Sequence, residues 1–228
     1  MRKVNFAIGE HYHVFNRGVD KRDVFSNQSD LNRFFQSMQE FNSIEPIGSI
    51  YENSFNKEKP QLGSSTSKLV NFIAYCLNPN HFHFILEQVS EKGIEKFMQR
   101  LGTGYSKYFN NKYKRSGSLF QGRFKSVHID SNEYLLHLSA YVNLNDRQLG
   151  SSTSKLSMSS WKEYIGENKD TFCEKDIILG QFESKEEYEK FALSSLEDIK
   201  KRKGQEKGQE NYMEYLEVKL PSNAAINV

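Results

Sequence analysis

The chain has 228 residues, 37% of them hydrophobic and 13% aromatic, which is enough for one packed domain. It has no apolar run that could span a bilayer and no signal peptide, so we expect a cytoplasmic protein with no membrane partner. Its two cysteines lack paired spacing, which fits a reducing compartment and argues against a cysteine metal site. A net charge of +2 does not by itself indicate binding to nucleic acid.

Hydrophobic periodicity and turn residues predict a regular succession of elements along the chain. The predicted strands cover 11–19, 69–77, 81–89 and 119–129, and the predicted helices cover 31–41, 91–113, 184–201 and a segment that begins after a cap at Asp130 or Ser131. The order β-α-β-β-α-β-α favours an α+β, ferredoxin-like sandwich, in which an antiparallel sheet carries helices packed on one face. We expect one domain over 1–200, with a polar loop insertion at 44–68, and a flexible polar tail at 201–228.

A local basic stripe runs from Lys107 to Lys125, with six Lys and Arg residues and no acidic residue. Tyrosines and phenylalanines alternate with these charges, and bases of single-stranded nucleic acid can stack on such rings. The alternative, equally open at this point, is an ordinary solvated helix face followed by a strand.

The short motif His81-Phe82-His83 lies on a predicted strand, where residues two apart point to the same face. Both imidazoles can therefore converge on one metal ion. Two histidines that are simply hydrogen-bonded within the protein are the commoner outcome for so short a motif. His11 and His13 have the same spacing, so the motif needs a second observation to support it.

That second observation is the pair Tyr141 and Asn145, which are four residues apart on a predicted helix and should share a face. A phenol, whose ordinary pKa is near 10, is a weak nucleophile at neutral pH. A divalent ion that polarises a phosphodiester would help a tyrosine to attack it and to form a covalent phosphotyrosine. The alternative is a core tyrosine with a satisfied hydroxyl group.

The order of several motifs resembles that of the single-tyrosine HUH transposases, and among them the REP-associated tyrosine transposases. The resemblance covers roughly residues 10–190. The motifs that carry it are Tyr12-His13-Val14-Phe15-Asn16-Arg17-Gly18, Asn80-His81-Phe82-His83, Leu119-Phe120-Gln121-Gly122-Arg123-Phe124-Lys125-Ser126, Glu133-Tyr134-Leu135-Leu136, Tyr141-Val142-Asn143-Leu144-Asn145 and Trp161-Lys162-Glu163-Tyr164.

The resemblance implies the HUH endonuclease fold and a metal-dependent transposase that acts on hairpins, such as REP-like palindromes, in single-stranded DNA. It implies cleavage beside the hairpin through a 5′-phosphotyrosine, with strand transfer by the same chemistry. Tyr141 falls on the nucleophile, and His81, His83 and Asn145 fall on the metal ligands, for which Mg²⁺ or Mn²⁺ is suited. His13 falls on a histidine of the opening strand that we do not take as a ligand. Either a monomer or a homodimer is compatible with the sequence.

The chain departs from the family pattern at two positions. Asn143 stands where the family usually has His, and we expect its side chain to point away from Asn145. Asp146 stands where the family usually has Pro, so the helix could run slightly further. The departures leave open that this copy is partly decayed.

Exposed basic residues near these motifs are candidates for phosphate contacts. The candidates are Arg17, Lys114, Arg115, Arg123 and Lys125.

The nine residues QLGSSTSKL occur twice, at 61–69 and at 148–156, without similarity in their flanks. The codons CAA CTT GGA AGT TCA ACT TCC AAG TTG would encode them as a near-perfect inverted repeat. We interpret both copies as translated palindromes inserted into loops, where insertions are tolerated, and expect neither to carry catalysis. A simple segmental duplication is the alternative.

The main alternative to an active transposase is a domesticated protein that binds hairpin DNA or RNA without cleaving it. A replication or conjugation nuclease of the HUH type is a further alternative. The short chain, with no helicase-like region, and the motif from Leu119 to Ser126 argue against that nuclease.

Overall fold

The computed structural model describes residues 5–56, 67–148, 156–168 and 172–205. The strands are β1 (His11–Arg17), β2 (Val70–Asn78), β3 (His81–Gln88), β4 (Lys125–His128) and β5 (Met158–Ser159). The helices are α1 (Gln28–Glu40), α2 (Ile50–Asn56), α3 (Gly93–Lys112), α4 (Asn132–Asn143), α5 (Trp161–Tyr164), α6 (Asp176–Leu179) and α7 (Lys185–Gln205). Short 3₁₀ turns occur at Val19–Lys21 and Asn145–Gln148.

The five strands form one sheet in the order β4-β1-β3-β2-β5, and each neighbouring pair is antiparallel. The first four strands have the order expected of a ferredoxin-like β-α-β-β-α-β arrangement. The predicted α+β fold with an antiparallel sheet is therefore confirmed. The short strand β5 is an addition at the free edge of β2.

One face of the sheet packs against α1 and α3. Alternate residues of β3, namely Phe82, Phe84 and Leu86, point to this face and are buried. The helices contribute side chains at helical spacing, among them Phe34 from α1 and Tyr105 from α3, whose rings meet edge to face at 4.8 Å. This face forms the larger hydrophobic core.

The opposite face is also covered, which corrects the prediction that helices pack on one face only. Ile85 and Cys76 of the sheet are buried there with Leu138 of α4 and Tyr188 of α7. The physical reason is visible in β2 and β3, where almost every residue is buried instead of every second one. A strand that is apolar on both sides needs a cover on both sides.

Other predicted boundaries changed. The strand predicted at 119–129 is shorter, because residues before Lys125 form a loop in which only Phe120 bridges to Gly18. The predicted loop 44–68 contains α2, anchored by buried Ile50. The predicted tail begins inside α7, since that helix continues to Gln205.

Residues 57–66, 149–155 and 206–228 lie outside the described residues, and with them most of both copies of the nine-residue repeat and of the tail. Within the described ranges, no helix combines the length and the apolar character needed to cross a membrane.

Helices α1 and α3 are joined by a buried carboxylate. Asp30 is fully buried and accepts hydrogen bonds from Lys112 Nζ at 2.6 Å and from Tyr113 Oη at 2.7 Å. It also accepts from the backbone N–H of Ser26 at 2.9 Å. Burial opposes ionisation, yet the hydrogen bonds from Lys112 and Tyr113 lower the pKa of Asp30 below its ordinary value. The ionised carboxylate thus links the two helices through these hydrogen bonds.

Candidate functional site

The two histidines of the motif begin strand β3. In the register of the sheet, His81 lies opposite Arg17 of β1 and Asn78 of β2, and His83 lies opposite Phe15 and Cys76. Both imidazoles point to the face covered by α4, as predicted, whereas Phe82 belongs to the core on the other face. The two rings are perpendicular, with centroids 5.2 Å apart.

Helix α4 brings Tyr141 to the same place. The helix is capped by Ser131, whose side chain accepts from the backbone N–H of Tyr134. The Tyr141 ring meets the His83 ring edge to face, at 5.4 Å between centroids. Tyr141 is only 4% exposed, since its ring is part of the apolar cluster beneath α4. The predicted nucleophile is therefore adjacent to the predicted metal ligands.

Asn145 also reaches the site, but not from the helix. Helix α4 ends at Asn143, and Asn145 opens the 3₁₀ turn that follows, so the predicted extension of the helix is wrong. Asn143, the last residue of the helix, and Asn145 have different side-chain partners. Asn145 Oδ1 lies 3.2 Å from His81 Nε2 and accepts from Asn78 Nδ2 at 2.8 Å.

Asn143 points away from Asn145, as predicted. Its side-chain NH₂ donates to the Tyr188 hydroxyl at 2.8 Å, and its carbonyl oxygen accepts from Ser160 Oγ at 2.5 Å. These contacts join α4 to α7 and to the residue before α5, and Ser160 in turn accepts from the backbone N–H of Tyr75. Asn143 therefore has a structural role, and its side chain contacts none of the four candidate site residues through these hydrogen bonds.

Sequence reasoning missed the contribution of His13. Its Nε2 lies 2.9 Å from His83 Nδ1, and the two rings meet edge to edge with an interplanar angle of 14°. Burial lowers the pKa of His13 to about 3, so this imidazole is neutral at neutral pH. The contact orients the His83 ring and engages Nδ1, so Nε2 is the nitrogen that His83 would offer to an ion.

The residues fit a divalent ion by their chemistry. His81 Nδ1 lies 2.6 Å from Asn80 Oδ1, a carbonyl oxygen that can only accept, so Nδ1 carries the proton and Nε2 presents a lone pair. Two ligands that are about 2.1 Å from an octahedral ion lie about 3.0 Å apart. The separation of 3.2 Å between His81 Nε2 and Asn145 Oδ1 agrees with that spacing.

The candidate donor set contains two histidines and an amide instead of a carboxylate cluster. Within the described residues, no three His, Cys, Asp or Glu side chains gather as a metal site. Cys76, which lies behind His83 on β2, is fully buried, and burial raises the pKa of its thiol. It is therefore a neutral neighbour of the site.

The five predicted DNA contacts fall into separate regions. Arg17 lies beside His81 and donates from Nε to Gln121 Oε1 at 2.5 Å, and Lys125 lies opposite Phe15, so both belong to the face of the site. Arg123 lines a cavity of about 990 Å³ between α3 and the loop before β4. Lys114 and Arg115 follow α3, where Arg115 covers the Phe109 ring.

Comparison with known proteins gives one family match and a similar solved structure. The model of the family described as "Transposase IS200 like" matches residues 61–145, which contain the two histidines, Tyr141 and Asn145. A solved structure described as a REP-associated tyrosine transposase bound to a REP hairpin aligns with 75% of this chain and 88% of its own, at 13% identity and a TM-score of 0.48. No curated protein gives a significant match. The resemblance of this chain to the IS200-like transposases is confirmed by the family model over the segment that carries the candidate site.

Proposed function

We propose that the protein is a metal-dependent transposase that cleaves and rejoins single-stranded DNA beside a hairpin through Tyr141. The observation that supports this most is the convergence of two imidazoles from β3, one amide oxygen from the turn after α4, and one phenol from α4 itself. The match of this segment to a transposase family supports the same reading.

The residues have distinct roles in the proposed reaction. Tyr141 attacks the phosphorus atom of the scissile phosphodiester and loses its proton, the bond to the 3′ oxygen breaks, and that oxygen is released as a 3′-hydroxyl. The product is a 5′-phosphotyrosine, from which a second 3′-hydroxyl can displace the tyrosine. The free energy of the broken bond is kept in the adduct, so rejoining needs no ATP.

His81, His83 and Asn145 would hold Mg²⁺ or Mn²⁺. The ion, when bound, offsets negative charge on the phosphate oxygens. Asn80 holds His81 in the tautomer whose Nε2 is unprotonated, and His13 orients His83. Arg17 and Lys125 lie on the same face and are the strongest candidates for contacts to the phosphates of the strand that enters the site.

A denaturing gel tests this proposal. The protein is mixed with Mn²⁺ and a single-stranded oligonucleotide that carries the inferred inverted repeat with flanks on both sides. We expect an SDS-resistant protein–DNA band that is lost in Tyr141→Phe and with a scrambled stem. Tyr134→Phe, on the same helix, is the matched control and should keep the band.

Two other outcomes of this experiment would each favour a different function or nucleophile. Hairpin binding without an adduct in the wild-type protein would support the domesticated binding protein instead. A band that survives Tyr141→Phe would mean that another tyrosine is the nucleophile.

A further inference from the structure

Asn78 lies inside the candidate site, although no sequence motif pointed to it. It is the last residue of β2 and pairs with His81 across the two-residue turn Pro79-Asn80. Because paired residues point to the same face of a sheet, the Asn78 side chain lies beside the His81 imidazole. It is fully buried.

The Asn78 amide occupies the place between the two candidate ligands. Its Nδ2 lies 2.8 Å from Asn145 Oδ1 and 3.1 Å from His81 Nε2. Both of those atoms are acceptors, since Asn80 fixes the proton of His81 on Nδ1. Two acceptors only 3.2 Å apart repel unless an electropositive group lies between them, and the two N–H bonds of Asn78 supply that group.

The other end of the same amide is unsatisfied. Asn78 Oδ1 is buried and has no hydrogen-bond partner among the described residues. A buried carbonyl oxygen without a partner is destabilising, because it has lost its hydrogen bonds to water and gained none in the protein. The N–H groups of the Asn78 amide thus contact the candidate ligands, whereas Oδ1, the atom that could bind a metal ion, does not.

We propose that Asn78 is a fourth protein ligand of the metal site, and that its amide turns over when the ion binds. Without the ion, Nδ2 bridges His81 and Asn145. With the ion, a half-turn about the Cβ–Cγ bond exchanges the two ends of the amide and presents Oδ1 to the ion. An amide oxygen is a hard ligand that suits Mg²⁺ and Mn²⁺.

The surroundings accommodate the turned amide. Cys76 lies two residues before Asn78 on β2, so its buried side chain is on the same face of the strand. Its sulfur is a weak acceptor that can take an N–H from the reversed amide. The inference rests on the metal site of the proposed function, and it adds a ligand that also stabilises the site when no ion is bound.

Calorimetric titration of DNA-free protein with Mn²⁺ tests the proposal. We expect Asn78→Leu, which removes both ends of the amide, to weaken Mn²⁺ binding by at least about 10-fold. Asn78→Asp, which offers a carboxylate oxygen, should bind Mn²⁺ more tightly than the wild type. Asn71→Leu is the matched control, because Asn71 lies at the far end of β2 and donates to Glu87. Its Mn²⁺ affinity should equal that of the wild type.

The sign of the change decides between a ligand and a competitor. If Asn78→Leu binds Mn²⁺ as tightly as the wild type or more tightly, Asn78 only occupies the ion's place and the proposal fails. That result would leave the proposed function untouched, since the wild type would still bind Mn²⁺. Absence of Mn²⁺ binding by the wild type would instead overturn the metal site itself.

The amide signals of ¹⁵N-labelled Asn78 provide an independent readout in the folded wild-type protein. Titration with diamagnetic Mg²⁺ should move both side-chain N–H signals and speed their hydrogen exchange, because they leave their two acceptors. Side-chain signals of Asn71 should stay in place. Unchanged Asn78 signals at saturating Mg²⁺ would overturn the turnover of the amide.

Discussion

His13 Nε2 lies 2.9 Å from His83 Nδ1, although the two residues are 70 positions apart in the chain. The contact exists because β1 and β3 are neighbours in the sheet and both rings point toward α4. It makes the histidine of the opening strand a positioning residue for the candidate metal site.

Replacement of His13 should therefore weaken metal binding, although His13 itself does not contact the ion. We expect His13→Phe to lower Mn²⁺ affinity by about 10-fold to 100-fold, because a ligand ring loses the group that orients it. Isothermal titration calorimetry measures the change. His128→Gln is the control, since His128 pairs with Glu10 at the surface. Equal Mn²⁺ affinity in His13→Phe and the wild type would contradict the role of His13.

The network around Asn143 should support stability and not metal binding. We expect Asn143→Ala to lower the free energy of unfolding by about 2–3 kcal/mol, because the Tyr188 hydroxyl and Ser160 Oγ lose a buried partner. Urea unfolding measures this value, and Asn132→Ala, on the exposed start of α4, is the control.

Tyr188→Phe tests whether the contact between α4 and α7 acts as a unit. The double variant Asn143→Ala/Tyr188→Phe should be less destabilised than the sum of the single variants by at least about 0.5 kcal/mol. Strict additivity would show that the hydrogen bond between these side chains contributes nothing measurable. A large loss of Mn²⁺ affinity in Asn143→Ala would contradict a purely structural role.

The buried carboxylate of Asp30 should make the stability of the protein depend on pH. Because the folded-state pKa of Asp30 is lowered, its contribution is present above the pKa of the unfolded chain, near 4, and is lost as the pH falls through the lower folded-state value. At pH 7 we expect Asp30→Asn to lower the free energy of unfolding by about 2–4 kcal/mol, since Lys112 loses its buried partner. The difference in the free energy of unfolding between the wild type and the variant should shrink below pH 4.

Urea unfolding at several pH values between 3 and 7 checks that prediction. Asp23→Asn is a suitable control, because Asp23 is exposed on the segment before α1. A difference between wild type and Asp30→Asn that stays constant over this range would show that the carboxylate charge is not what stabilises the contact between α1 and α3.

The positions of the basic residues predict that some contribute more than others to DNA binding. Arg17 lies on the face of the site, whereas Arg115 covers the Phe109 ring at the end of α3. We expect Arg17→Gln to weaken binding of a hairpin oligonucleotide and to reduce the slope of log K against log salt by about 1. Arg115→Gln should leave that slope nearly unchanged. Fluorescence anisotropy at several salt concentrations measures both, and equal slopes in the two variants would contradict this division.

Much of the fold was predictable because local patterns decide it. The alternation in β3 separates Phe82 from His81 and His83, and the stripe of α3 and the cap of α4 locate those helices within a few residues. Strand periodicity indicated His81 and His83, since residues two apart in a strand share a face, and Tyr141 lies on the helix that was predicted. Asn145 reaches the site from the turn after α4, so the helical spacing that suggested it is not how it arrives there.

Tertiary structure decided what periodicity does not contain. The sequence gives no register between β1 and β3, and only that register brings His13 to His83. Asn78 was within reach of sequence reasoning, because the residues that flank a two-residue turn are paired, but its polar contacts depend on Asn145 arriving from the turn after α4. The second helical layer likewise depends on α7 meeting α4 through Tyr188 and Asn143. Local sequence determined which residues face the same way, and packing of distant segments determined which of them touch, because contacts between elements depend on how the whole chain buries its apolar faces.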